Sequence, residues 1–124
     1  MTIKNFKKLA QNEQRKKALK IIEAGFKSIN TQKVLTEQIQ LKDNILLIKD
    51  KKFPLDNFDN IYFIGIGKAS LKTAEYFDNL LGAKIKKGIT ISTEEKPLKH
   101  IETIKGTHPL PSRENIETAK KIVN

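Results

Sequence analysis

Cysteine is absent from the 124 residues. That excludes disulfides, thiolate nucleophiles and cysteine-ligated zinc, and makes a reducing cytoplasm the expected compartment. No apolar run is long enough to span a bilayer, and the lysine-rich start is not followed by the apolar core of a signal peptide. His100 and His108 are too few for a histidine-based metal site, so no metal ligands are assigned. Arginine is nearly missing as well: lysine outnumbers it by 22 to 2 within a formal charge of +10. A phosphate-clamping or base-reading surface would draw on the bidentate arginine fork. The lysines instead crowd the first twenty residues, where Glu13 is the sole acid, and are elsewhere mixed with acids. The composition argues against a nucleic-acid surface and against a membrane partner.

What is present is one domain's worth of chain with 38% hydrophobic residues, enough for a modest core. The chain is organised around residues 60–70. An apolar run at 61–64 suits a strand covered on both faces. Gly65 and Gly67 then permit a sharp turn and close approach of a ligand. Leu71, Ala74, Phe77 and Leu81 follow at helical spacing, which starts a helix near Ala69 or Ser70. Lys68 sits where the helix dipole is positive, a poor place for a cation unless an anion is bound there. The pattern is not a P-loop, and with Ser70 in place of a third glycine it is an incomplete dinucleotide fingerprint. Strand–glycine-turn–helix units also occur in α/β folds without any ligand, so the turn by itself leaves structural and functional readings open.

Around this centre, residues 6–29 read as one amphipathic helix with Leu19, Ile22, Phe26 and Ile29 on a face. Asn30 or Thr31 caps a second short helix through Val34, Leu35 and Ile39. Residues 45–48 and 53–55 suggest a small hairpin, with Pro54 keeping its strand at an edge. Gly82 stops the helix begun near Ser70. Residues 89–91 and 101–104 are further strands, joined by a polar connection at 94–100. Residues 106–111 form a stiff loop, and Ser112 caps a last helix through Ile116, Ala119 and Val123. Strands alternating with helices predict a parallel sheet with helices on both faces. The segments divide into a helical lead-in over 1–40 and βα units over 41–124, within a single domain.

The segments Ala18-Leu-Lys-Ile-Ile-Glu-Ala-Gly, Ile64-Gly-Ile-Gly-Lys-Ala-Ser, Leu81-Gly-Ala-Lys-Ile-Lys-Lys-Gly-Ile-Thr-Ile-Ser and Gly106-Thr-His-Pro-Leu-Pro together resemble the N-terminal domain of the glycerate 2-kinase family, the MOFRL-associated glycerate kinases. The resemblance implies a Rossmann-like three-layer α/β/α domain that is the N-terminal portion of a longer protein. The resemblance implies a C-terminal MOFRL-type domain, expected to lie outside these residues. It implies ATP-dependent, Mg²⁺-assisted phosphorylation of D-glycerate to 2-phosphoglycerate, in a cleft facing a second domain. The family's functional lysine falls on Lys68, the catalytic candidate. Gly65, Gly67, Ser70 and His108 are the substrate-binding candidates. His108 has two readings: a cleft contact, or a loop histidine bonded to backbone. His100 is expected to be exposed, and Asp56, Asp59 and Glu75 to be caps or solvated positions. Ser112 stands where many members carry an acid. The family's nucleotide loop has no counterpart here, so the chain is expected to be inactive without a C-terminal domain or a second chain, and a homodimer is a further expectation. The competing function is a phosphosugar-binding domain of the sugar-isomerase type, in which Ser70 and helix-start amides would hold the phosphate. A basic interaction module using the first helix is a third class.

Overall fold

The computed structural model describes residues 2–123. Where one long first helix is predicted, there are two: α1 (Phe6–Leu9) and α2 (Glu13–Ser28). The break has a local cause. Asn12 adopts an extended backbone, and its side chain accepts from Arg15 N–H, which caps α2. The predicted apolar face is only half covered, with Ile22 at 49% and Phe26 at 47% exposure. The buried residue of α2 is Glu23, whose carboxylate accepts the N–H groups of Thr2 at 2.5 Å and Ile3 at 3.0 Å. These donors hold the carboxyl below its ordinary range.

Helix α3 (Thr31–Gln38) is capped by Asn30 as expected, but Ile39 is not part of it. It opens β1 (Ile39–Lys42), which pairs with β2 (Ile45–Ile48), which pairs with β3 (Lys51–Pro54), all antiparallel. Residues 39–54 are therefore a three-stranded meander, where a two-stranded hairpin is predicted. Asp43 and Asn44 both take positive φ, 50° and 60°, as the tightest hairpin turns demand. Pro54 ends the outer strand, where its missing N–H costs no ladder bond.

The second sheet is parallel and matches the expectation. Strand β4 (Ile61–Ile66) pairs with β5 (Ile85–Ser92), and β5 with β6 (Glu102–Lys105), in the order β4-β5-β6. Helix α4 (Ser70–Leu81) makes the first crossover and stops at Gly82, whose φ of 52° suits glycine. The second crossover, residues 93–101, is a loop without a helix. Asp78 of α4 replaces the missing ladder: its buried carboxylate accepts Lys99 N–H at 3.1 Å and His100 N–H at 2.7 Å. His100 is therefore half-buried beside Asp78, not exposed as predicted.

The two helices flanking the sheet lie on opposite faces. On the α4 face, Leu55, Ala74, Leu81, Ile85 and Ile101 form the buried cluster, with Ile61, Phe63, Phe77 and Leu98 packed against it. Leu41 and Leu46 of the meander join the same cluster, and Tyr76 of α4 donates to the Ile39 carbonyl. Burial of these side chains outside water is worth roughly 1.5–3 kcal/mol each and holds the two sheets together. On the other face, α5 (Arg113–Val123) packs over β5 and β6, with Lys121 paired to Glu102 at 2.6 Å. Tyr62, Ile64 and Ile66 of β4 remain more than half exposed on that face.

Candidate functional site

The carboxyl ends of parallel strands are where open α/β sheets bind ligands, because the following helices start there with unspent N–H groups. Here the ends of β4, β5 and β6 converge on a cleft of about 150 Å³. Ile66, Gly67 and Lys68 form one wall, Ile91, Ser92 and Thr93 the floor, and Gly106, Thr107, His108 and Asn115 the other wall. That volume is below the ~300–1,000 Å³ of drug-sized pockets, so it suits a ligand of few heavy atoms.

Gly67 makes the turn possible. Its φ of 107° is closed to other residues at low cost, and no atom lies near the place its Cβ would take. Its own N–H is not offered to a ligand, since it continues the ladder to the Ile91 carbonyl at 3.0 Å. The N–H groups of Lys68, Ala69, Leu71 and Lys72 have no protein acceptor among the described residues. Ala69 at the N-cap supplies no side-chain cap. The start of α4 is thus an uncapped helix N-terminus with positive partial charge. Exposed Lys68 adds a full charge beside it, and no carboxylate lies within 4.0 Å of its ammonium among the described residues.

The opposite wall is held by α5. Asn115 Oδ1 accepts Thr107 N–H at 3.0 Å and Ser112 N–H at 3.0 Å, so one carboxamide fixes both ends of the loop carrying His108. Ser112 directly precedes α5, but its hydroxyl meets Glu114 Oε2 at 2.6 Å and not the helix amides. That hydrogen bond holds the Glu114 carboxyl below its ordinary range. The peptide between His108 and Pro109 is cis. Gly106 is required at the loop's base: a Cβ there would lie 2.8 Å from Ile91 Cδ1 and 2.9 Å from Asn115 Nδ2.

Three of the five residues singled out from the sequence, Gly67, Lys68 and His108, meet in this cleft. Gly65 and Ser70 lie behind it. A Cβ on Gly65 would come within 2.5 Å of Thr90 Oγ1 and 3.1 Å of Ser70 Cβ, so that glycine lets α4 approach the strand. Ser70 is buried, and its hydroxyl lies 2.6 Å from the Gly67 carbonyl and 2.9 Å from the Ile91 carbonyl. The hydroxyl that the phosphosugar reading needed is therefore spent on the backbone. Ser92, Thr107 and Asn115 were not foreseen. Ser92 and Thr107 stand at or just past strand ends, and that position was the available signal.

Two larger depressions lack this convergence. One of about 940 Å³ runs along the exposed apolar face of β4 beside α5, and one of about 580 Å³ lies between the meander and the 82–86 region. Neither contains an α-helix start or the carboxyl end of a parallel strand.

Residues 17–124 match the sequence profile of a family described as a domain of unknown function, DUF4147. The chain belongs to that family. The DUF4147 chain is 23% identical over 106 residues to a curated glycerate 2-kinase of Pyrococcus horikoshii, covering 86% of this chain and 24% of the relative. It is 29% identical over 73 residues to a curated D-glycerate 2-kinase of Thermotoga maritima, covering 56% and 18%. It spans about a quarter or less of the length of these relatives. Among solved structures, a protein of Pyrococcus horikoshii OT3 superposes with a TM-score of 0.72 at 22% identity, over 88% of this chain and 24% of that one. The glycerate kinase of Thermotoga maritima superposes with a TM-score of 0.60 at 19% identity, over 86% and 23%. The fold is that of the N-terminal domain of glycerate kinases, and the chain is a distant relative of those enzymes.

Proposed function

We propose that this DUF4147 domain is the N-terminal part of a glycerate 2-kinase and that its cleft holds D-glycerate for ATP-dependent phosphorylation to 2-phosphoglycerate. The observation that carries the reading is the meeting of Lys68, the uncapped start of α4 and His108 at the carboxyl ends of the parallel strands. The cleft's lining offers an ammonium, an imidazole, hydroxyls and a carboxamide, and no carboxylate. That set fits an anion and not a divalent cation. Mg²⁺ finds no fitting donor set here, and no described cluster of three or more acidic, His or Cys side chains stands ready to hold a metal. The role assigned to this chain is to bind and orient glycerate. Lys68 and the helix amides take its carboxylate, and the Lys68 charge stays close enough to stabilise negative charge that develops during transfer. Transfer itself requires groups supplied by a longer polypeptide or a second chain.

The test is turnover of D-glycerate and ATP by the protein in its longest natural form, with and without Lys68→Ala. The expected result is 2-phosphoglycerate formation that falls on the order of 10²-fold in the variant, with folding retained. Equal activity, or no phosphorylation of glycerate by an intact, folded wild type, would overturn the reading.

A further inference from the structure

Ser92 ends β5, the middle strand of the parallel sheet, and its backbone is fixed on the β6 side. It pairs with Lys105, and its carbonyl accepts Gly106 N–H at 2.8 Å. The residue is 5% exposed. Alternation along a strand puts its side chain on the same face as Thr90. The Thr90 hydroxyl lies against Gly65, on the side from which α4 begins. Ser92 therefore projects into the floor of the cleft beneath the start of α4.

The neighbouring buried hydroxyls are both satisfied: Ser70 by the Gly67 and Ile91 carbonyls, and Thr90 by the Gly65 carbonyl at 3.2 Å. Among the described residues, no hydrogen bond to a protein group engages the Ser92 hydroxyl. Its oxygen is open to the cleft, where water or a ligand group completes it. Lys68 and the α4 amides attract the anionic end of a ligand. Ser92 is neutral and can both donate and accept, which matches a ligand hydroxyl. Ser92 lines the same small cleft as Lys68, so a short ligand held there by its carboxylate has its adjoining carbons within a lining that includes Ser92.

We infer that Ser92 is the specificity-determining residue of the cleft, pairing its hydroxyl with a hydroxyl of a bound hydroxy-carboxylate. The inference rests on the glycerate reading of the site. It separates hydroxy acids from plain carboxylates of the same length, because the latter leave Ser92 unpaired.

The experiment titrates the chain with D-glycerate and with propionate, following binding by NMR, for wild type, Ser92→Ala and the near-isosteric Ser92→Cys. Wild type is expected to bind glycerate several-fold more tightly than propionate. Each variant should lose roughly fivefold in glycerate affinity and leave propionate unchanged, as expected for one neutral hydrogen bond. If both ligands bind wild type equally well, or the variants weaken both alike, the Ser92 inference is overturned while the anion site stands. If neither ligand binds wild type, the glycerate reading falls and takes the inference with it.

Discussion

Asn115 grips Thr107 at both ends of its backbone, accepting its N–H at 3.0 Å and donating to its carbonyl at 3.4 Å. Through that grip, the first turn of α5 sets the wall of the cleft that carries His108. Asn115→Ala would leave the N–H groups of Thr107 and Ser112 without their acceptor, at about 0.5–1.5 kcal/mol each since both remain open to water. The expected outcome is lower stability in urea together with slowed-exchange protection lost at Thr107. Unchanged protection there would mean that the loop holds itself.

Gly65 separates packing from ligand binding. With Thr90 and Ser70 both pinned by backbone carbonyls, a Cβ 2.5 Å from Thr90 Oγ1 cannot be accommodated by a simple side-chain swing. Gly65→Ala should destabilise the domain by about 1–3 kcal/mol. Thermal unfolding checks this, and a melting temperature equal to wild type would contradict the close approach of α4 to β4.

Asp78 makes a loop serve as a crossover. Its carboxylate accepts from Lys99 and His100, so Asp78→Ala strands two N–H groups next to buried Ile101. The expected loss is about 2–4 kcal/mol in chemical denaturation. A loss below roughly 0.5 kcal/mol, the range of ordinary surface substitutions, would show that the 93–101 segment is held by Leu98 and Ile101 alone.

Glu23 gives a pH dependence of known sign. Its folded value lies below the ordinary glutamate value, chiefly because Thr2 N–H and then Ile3 N–H bond the carboxylate. A depressed folded value contributes stability that is present above the unfolded value and lost as pH falls through the folded one. Glu114 titrates in the same direction through Ser112, so the readout must be local. The amide signals of Thr2 and Ile3 should lose their protection in wild type as pH falls through the depressed Glu23 value. In Glu23→Gln the transition should vanish. Loss of protection with rising pH would reverse the assignment.

The parallel sheet was legible because its strands are short apolar runs bounded by glycine and polar residues, and α4 because Leu71, Ala74 and Leu81 recur at helical spacing and are buried. Strand β1 was not, although Ile39-Gln40-Leu41-Lys42 alternates, because it follows α3 without a break and only the Asp43-Asn44 turn marks it. Asn12 likewise caps a helix inside a pattern whose apolar spacing runs straight through it. At the cleft, the glycine turn announced Gly67 and Lys68. The true partition of the serines was hidden. Ser70, inside the motif, turns inward to the backbone, and Ser92, outside any motif, is the hydroxyl left for a ligand. Which of two serines is spent depends on strand register, and register is a tertiary fact.

The anion site at the start of α4 is the claim on which the functional account stands, and chemical-shift mapping of the isotopically labelled chain with D-glycerate tests it most directly. The account predicts saturable shifts gathered at the amides of Lys68, Ala69, Leu71 and Lys72, with Ser92, Thr107 and His108 moving in step, and their disappearance in Lys68→Ala. Shifts confined to the lysine-bearing surface of α2 or to the Tyr62–Ile64 groove, or none up to tens of millimolar glycerate, would contradict it.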